Sequence, residues 1–547
     1  MKRILLLLHT LRYLKVQQIF YRVYYRFRKP RLRELPKPVV RAQFLPWSGL
    51  QFASSATLDG KSFTFLGETA ELNDDWNSPE FSKLWLYNLH YHDDLNAVGA
   101  NQRQQLNDQL INTWIAANPP ITGNGWEPYC LSLRIVNWVK WFSYREAQRL
   151  DPLWLGSLAR QTDVLMQQLE FHILANHLFA NAKALVFAGS YLAEDDWLKK
   201  GLQILDKEIP EQFLDDGAHF ELSPMYHSTL LWDLADLIVL AQTTGLPELH
   251  QRQEAWQQRF IKGLEWLQSM VHPDGDISFF NDAAFGIAPT LADLNAYAHK
   301  LNLEIRTPAV CQKIAGQLFS SSGYAVFDWP EGHRLLADVA QVGPDYQPGH
   351  AHADTLSCEI SLFGQRVLVN SGISEYGEGA ERHRQRSTAA HNTVEVDGQN
   401  SSEVWAGFRV ARRARPQGVE LTQDKERIFL QASHTGYQRL SGRVTHSRSW
   451  EALPSSLRVT DKLTGEFETA VVHWHFHPDV KIVKDDTGGF QVGLPNGQRI
   501  VLRVEGASAR LLTSTWHPRF GVSLDNQKLE LIADSNQIVT TVAWGSI

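Results

Sequence analysis

The fold turns on "GYAVFDW" at residues 323–329 and "RLLADVAQV" at 334–342. Apolar and polar side chains tend to alternate there, the pattern of a strand with one face buried, since successive side chains point to opposite faces. Further on, "SCEISLFGQRVLVNSG" (357–372), "HNTVEVDG" (391–398), "RIFLQASH" (427–434) and "RIVLRVEG" (499–506) repeat the pattern, and "PNGQ" (495–498) is a hairpin signal between two such runs. Upstream the period is different. "LNDQLINTWIAAN" (106–118), the long window 158–192 and "LLWDLADLIVLAQTTG" (230–245) place apolar residues three and four apart. Gly, Pro and Asn breaks such as "NPPITGNG" and "VHPDGD" separate them. The reading is an α+β multidomain chain: a basic N-terminal segment and linker (1–74), an all-helical solenoid or toroid (75–318), and an antiparallel β-sandwich (319–547). A site is expected in the cleft between the two layers.

Length and composition agree with two large cores: 547 residues, 43% apolar and 21% charged, with no apolar run of bilayer-spanning length. Three scattered cysteines without a CxxC pair indicate neither a zinc knuckle nor a disulfide framework. Eighteen Trp and fifteen Tyr suit either sugar stacking or helical cores, the commoner use. The net charge of −7 is unevenly spread, because residues 1–40 hold eleven Lys/Arg against Glu34 alone. That segment begins like a signal peptide, but His9, Arg12 and Lys15 interrupt its apolar run and no small-residue cleavage site follows. It reads as one basic amphipathic helix, with two readings open: peripheral contact with anionic lipid through residues 1–35, or packing with a solvated basic face. The expected location is cytoplasmic or at the inner membrane, with the periplasm as the alternative. Dinucleotide, P-loop and nucleophile-elbow patterns are absent, and no nucleic-acid partner is expected.

Four stretches could carry chemistry. "LANHLFANAKAL" (174–185) sets Asn176 and His177 in an apolar helix, as a core amide bonding between helices or as a donor to an anionic group. In "DGAHFELSPMYHSTLL" (216–231), Pro224 starts a helix with Tyr226 and His227 in its first turn. Tyr226 is then a capping-turn phenol or a proton-transfer group, and Glu221 could equally serve a glycosidase. "YQPGHAHADTLS" (346–357), if extended, points His350, His352 and Asp354 to one face, as metal ligands or a base. Asn370, Tyr376, Arg382, Arg384, Arg386 and His391 follow within about forty residues, a density unlike that of a plain solvated sheet. Finally, "VVHWHFHPD" alternates His473, His475 and His477, read as packed strand histidines rather than a metal ribbon.

In order along the chain, "WLYNLHYHDDL" (85–95), "GWEPYCLSLRIVNW" (125–138), "NHLFANAKAL" (176–185), "FELSPMYH" (220–227), "GHAHADTLS" (349–357), "VLVNSG" (367–372) and "RSTAAHNTVEVDG" (386–398) resemble the heparinase II/III family of polysaccharide lyases. The resemblance implies an (α/α) toroid followed by an antiparallel β-sandwich, and β-elimination in a uronic-acid-containing glycan. By similarity Asn176, with His177, would hold the uronate carboxylate; Tyr226 would protonate O4; His350 would be the base or carboxylate neutraliser; and Tyr376 would be a second catalytic tyrosine. The same segments imply substrate contacts from Trp85, Tyr87, His90, Trp126, Glu127, Arg134 and Arg386. Some members bind a structural zinc through His, Asp and His, which map to His352, Asn370 and His391. An amide oxygen is a weaker zinc ligand than a carboxylate, so the departure at Asn370 bears directly on the metal. The remaining alternatives are a non-catalytic glycan-binding or scaffold protein, and a toroid hydrolase using Glu127 and Glu221.

Overall fold

The computed structural model describes residues 2–73, 75–306 and 311–544. Positions 1, 74 and 547, where domain limits were drawn, lie outside the described residues. The N-terminal segment forms two helices rather than one, α1 (Lys2–Leu11) and α2 (Val16–Phe27). Lys15 adopts extended backbone angles, and the Gln18 side chain accepts its N–H at 3.0 Å, so a second helix nucleates after the turn. An extended strap and a small hairpin (Ser62–Phe65 with Glu68–Glu71) lead into the helical layer.

Among the described residues nine α-helices follow: α3 (Lys83–Tyr91), α4 (Gln104–Ala117), α5 (Pro128–Ser143), α6 (Pro152–Met166), α7 (Ala175–Tyr191), α8 (Asp195–Gln212), α9 (Pro224–Thr244), α10 (Pro247–Met270) and α11 (Leu291–Lys300). Pro opens α5, α6, α9 and α10, where its missing N–H costs nothing. These helices share one apolar core in which Trp85, Trp114, Trp138 and Trp141 are buried. The tryptophan-rich composition thus fills the toroid. Window 158–192 is not one helix, because the chain breaks over residues 167–174 before re-entering as α7. That break brings residues 176 and 177 into a first helical turn.

From Ala315 onward the chain is mainly antiparallel β, with a short α-helix at Ala380–Gln385. A five-stranded sheet runs in sequence order through Ala315–Phe319, Tyr324–Trp329, His333–Asp338, Cys358–Leu362 and Gln365–Leu368. An eight-stranded and a four-stranded sheet complete the sandwich, and all three contribute to one core around Trp450 and Trp474. The hairpin at 495–498 joins Phe490–Gly493 to Arg499–Glu505. The stretch 346–357 is not a strand; it is a loop between the third and fourth strands of the five-stranded sheet.

The two layers meet along an apolar seam in which Leu222, Trp266 and Phe280 pack on Phe319, Tyr324 and Leu336. Polar ties reinforce it. Tyr324 donates to the Leu222 carbonyl at 2.6 Å, His272 contacts Glu359 at 2.8 Å, and Arg366 pairs with Asp274. The segment between α10 and α11 therefore belongs to the helical layer in sequence but is bonded to the sandwich.

Candidate active site

Within that segment, Asp282 is buried, and its two carboxylate oxygens accept four hydrogen bonds. Oδ2 takes the Nδ1–H of His350 at 2.9 Å and one guanidinium N–H of Arg382 at 2.8 Å. Oδ1 takes the Nε2–H of His352 at 2.8 Å and a second Arg382 N–H. Burial alone would raise the Asp282 pKa, but Arg382, His350 and His352 together hold it well below the usual carboxylate range. The carboxylate is ionised, so His350 must present its Nδ1–H to it. In the neutral ring this leaves Nε2 as a lone pair, 3.5 Å from Glu221.

Opposite His350 stand the first turns of α7 and α9. Helix N-termini favour anions through their free N–H groups and dipole. Asn176 is buried, its Oδ1 has no partner, and its backbone N–H donates to Glu221 at 3.4 Å. His177 is half-buried, with Nδ1 3.0 Å from Glu170. Burial would lower the His177 pKa, but the Glu170 carboxylate overrides it and the net shift is upward. Glu221 is shifted upward, by burial first, with His350 and the Asn176 N–H only partly offsetting it. The site thus holds an amide whose Oδ1 is unpartnered, an imidazole whose pKa is raised by Glu170 and a carboxyl whose pKa is raised by burial.

Tyr226 lies on the first turn of α9, where Ser223 caps the helix by accepting the Tyr226 N–H. Its ring stacks on His350 with centroids 3.8 Å apart, and its hydroxyl is 2.9 Å from that of Tyr376. Burial pushes both phenols well above the usual tyrosine range, so each keeps its proton at neutral pH. Arg382 lies over the Tyr376 ring at 4.9 Å, linking this phenol to the Asp282 cluster. Several non-glycine residues beside these groups take left-handed backbone angles: Leu174 (φ 72°), Ala175 (φ 53°), Leu222 (φ 58°) and Asn281 (φ 58°). Such positions cost energy and are held by their surroundings; here they adjoin Asn176, Glu221 and Asp282.

The fold therefore brings Asn176, His177, Tyr226, His350 and Tyr376 together. It does not do so for most of the expected substrate contacts. Trp85 packs against Phe81 and Phe65 in the toroid core. His90 accepts from the Trp114 indole and Trp126 donates to the Asn118 carbonyl, both buried. Arg134 is enclosed by Gln161 and the carbonyls of His90 and Gly125. Arg386 donates to the Ala351 and Gly407 carbonyls, bracing the loop that carries His350. These side chains are buried in the protein, although the His90 Nε2 has no partner. Tyr87 and Glu127 bond to each other at a half-exposed rim, from which ring contacts run through Tyr91 and Tyr129 to His177. Sequence reasoning missed Asp282 and Glu170. The signal for Asp282 was present: a lone acid in "ISFFNDAAF" (277–285) has to find a cation if buried.

Two family models match the chain, "Heparinase II/III N-terminus" over residues 91–300 and "Heparinase II/III-like, C-terminal" over 312–544. Among curated proteins, the chain is similar to a heparin-sulfate lyase of Bacteroides stercoris, 24% identical over 265 residues, covering 44% of this chain and 38% of that protein. A heparin-sulfate lyase of Pedobacter heparinus is 23% identical over 440 residues, covering 75% of this chain and 60% of that protein. The chain thus spans less than two thirds of the length of these relatives. Among solved structures, a heparinase III is similar at a TM-score of 0.70 and 18% identity, covering 97% of this chain and 90% of that one. A heparan sulfate lyase mutant from Pedobacter heparinus is similar at a TM-score of 0.61 and 18% identity, covering 97% and 88%. At these identities the structural likeness speaks for the fold.

The residues matching the zinc ligands can be tested for fit. His352 Nδ1 and His391 Nε2 face each other at 3.0 Å. The outer nitrogen of each ring is engaged, by Asp282 and by the Ser387 carbonyl respectively. The third position does not suit zinc. Asn370 is neutral; its Oδ1 accepts the Asn392 N–H at 3.1 Å and its Nδ2 donates to the Phe279 carbonyl at 3.0 Å. Among the described residues no cluster of three or more His, Cys, Asp or Glu could hold a metal. A two-imidazole set with a committed amide does not fit a closed zinc site. Metal analysis of the purified protein is expected to find zinc well below one per chain, with Asn370→Asp raising occupancy when zinc is added. Stoichiometric zinc in the unaltered protein would contradict this assignment.

Proposed function

Because the chain belongs to the heparinase II/III family, we propose that it is a polysaccharide lyase that cleaves a uronic-acid-containing glycan by β-elimination. The observation that carries the reading is the convergence of the Asn176 amide, a His177 imidazole biased toward its charged form by Glu170, an oriented His350 and two protonated phenols between the layers. In a uronate the C5 proton is weakly acidic until the adjacent carboxylate is neutralised. The Asn176 amide and His177, at the N-terminus of α7, supply that neutralisation and stabilise the enolate charge as it develops.

His350 Nε2 then removes the C5 proton; the C5–H electron pair becomes the C4–C5 double bond, and the C4–O4 bond breaks. Tyr226 delivers its proton to the departing O4. With its pKa raised, this phenol suits the acid role rather than the base role. Tyr376, at hydrogen-bond distance, is placed to return a proton to Tyr226 from the solvent side. Hydrolysis by a glutamate pair is less well supported, because Glu127 is engaged with Lys83 and Tyr87 while Glu221 is buried against the Asn176 N–H and His350. We further assign the substrate to the acidic glycans of bacterial envelope or exopolysaccharide metabolism, on the strength of the basic N-terminal segment; heparin-type polymers, named for the relatives, stand beside them as candidates.

Incubation with a panel of uronate polymers (heparan, alginate, hyaluronan, glucuronan, bacterial capsules) is expected to generate the ultraviolet absorbance of an unsaturated uronate with at least one of them. Reducing ends without that absorbance would mean hydrolysis; tight binding with neither signal would mean a scaffold. On the cleaved polymer, Tyr226→Phe is expected to lower kcat by about 10²–10⁴-fold with little change in binding; near-normal turnover would refute its acid role. The pH dependence has a defined sign. His177 carries its charge below its raised pKa and loses it as pH rises through that value, so KM is expected to climb on the alkaline side. His177→Gln should flatten that climb in a KM profile, and an unchanged profile would remove His177 from carboxylate binding.

A further inference from the structure

The helices α1 and α2 are inverted relative to ordinary surface helices, whose apolar stripe faces the core. On α2 the inward face is polar and aromatic. Gln18 is fully buried and donates to the carbonyls of Ile173 at 3.2 Å and Tyr346 at 3.1 Å; Tyr21 stacks on Phe171, and Tyr25 donates to the Leu169 carbonyl. On α1, Thr10 contacts Trp405 and Val410. The apolar residues face outward instead: Ile4, Leu8 and Leu11 on α1, and Val16, Phe20 and Phe27 on α2. Of the 23 large apolar side chains exposed on the described surface, ten lie between residues 4 and 27. Scattered single exposures are ordinary; a run of this density on two consecutive helices marks an interaction surface.

Charge narrows the partner. Residues 1–40 carry about +10 and the rest of the chain about −17, with Arg3, Arg26 and Lys29 exposed around the apolar face. We propose that this face docks on an anionic lipid bilayer, lying in the headgroup region with its apolar side chains inserted and its basic ones against lipid phosphates. A soluble polyanion would engage the basic residues but leave the apolar row in water. A bilayer satisfies both demands and needs no shape complementarity. Among the described residues no helix is long and apolar enough to cross a membrane, so the contact is peripheral through this face.

The placement bears on the catalytic cleft. Gln18 ties the backbone three residues before Asn176 to the backbone four residues before His350, and Lys15 pairs with Glu211 while its ammonium lies 3.8 Å over the Tyr346 ring. The lipid-facing helices therefore clasp the helical and β layers beside the site, and docking would hold the cleft at a set height above the bilayer. This inference stands on the surface alone and does not depend on the lyase assignment.

The test is flotation of the full chain with vesicles of phosphatidylcholine alone or mixed with phosphatidylglycerol. Expected is co-flotation with the anionic vesicles, at least ~10-fold above that with phosphatidylcholine alone and weakened by salt. Two triple variants at exposed positions, Leu8→Gln/Phe20→Gln/Phe27→Gln and Arg3→Glu/Arg26→Glu/Lys29→Glu, are each expected to lose at least ~10-fold of the bound fraction with unchanged melting temperature. Failure of the unaltered protein to float with anionic vesicles would overturn the proposal, as would flotation of the apolar triple variant at the unaltered level. Sedimentation of the same proteins covers the remaining occupant: a dimer dissolved by the apolar substitutions, without vesicle binding, would assign the face to a second copy and overturn the lipid reading.

Discussion

The buried carboxylate of Asp282 is the interaction on which the rest of the site depends. It is carried by a segment of the helical layer, yet its partners His350, His352 and Arg382 all belong to the sandwich. A buried charge of this kind is tolerable only because its oxygens are fully bonded and the Arg382 guanidinium offsets it; removing one member of such a pair costs about 3–5 kcal/mol. The consequence is geometric as much as energetic. Both oxygens are used, so the His350 ring has one orientation and one tautomer, and its free nitrogen faces the first turns of α7 and α9. The same carboxylate positions His352 against His391 and, through Arg382, backs the Tyr376 ring.

Around this anchor the site combines groups of opposite electrostatic bias. Asp282 and Glu170 stay ionised because cationic partners outweigh burial, while Glu221, Tyr226 and Tyr376 are pushed toward their neutral forms by burial. That division separates the groups that orient from those that can give a proton. The left-handed backbone at Leu174, Ala175, Leu222 and Asn281 belongs to the same scheme, since each strained residue delivers a site group at the end of a turn. The aromatic abundance of the chain has a plainer cause: the buried indoles of Trp85, Trp114, Trp138 and Trp141 fill the toroid.

Much of the architecture was legible. The change from a three-to-four-residue period to alternation near residue 320 separates toroid from sandwich, and the Pro224 start of α9 places Tyr226 in its first turn. Periodicity did not reveal the break at 167–174, because an apolar window reads the same whether one helix or two bury it. The stretch "HAHAD" likewise read as extended, whereas it is a loop whose conformation is set by Asp282, Asn281 and Arg386, all distant in sequence. Trp85, His90, Trp126 and Arg134 illustrate a general limit: a polar or aromatic residue in a matching motif can serve the site or the core, and only its bonded partners distinguish the two. Asp282 was overlooked for the converse reason, since a lone acid among apolar residues says that a partner exists without saying which.

The most direct test of this account is the turnover of Asp282→Asn, measured alongside its melting temperature, on a uronate polymer for which the unaltered protein shows the proposed cleavage. An amide is nearly isosteric with the carboxylate but cannot enforce the His350 tautomer or stabilise the imidazolium formed on proton abstraction. The account predicts a folded protein, somewhat less stable, with kcat reduced on the order of 10³-fold. A folded Asp282→Asn protein with near-normal kcat would contradict it.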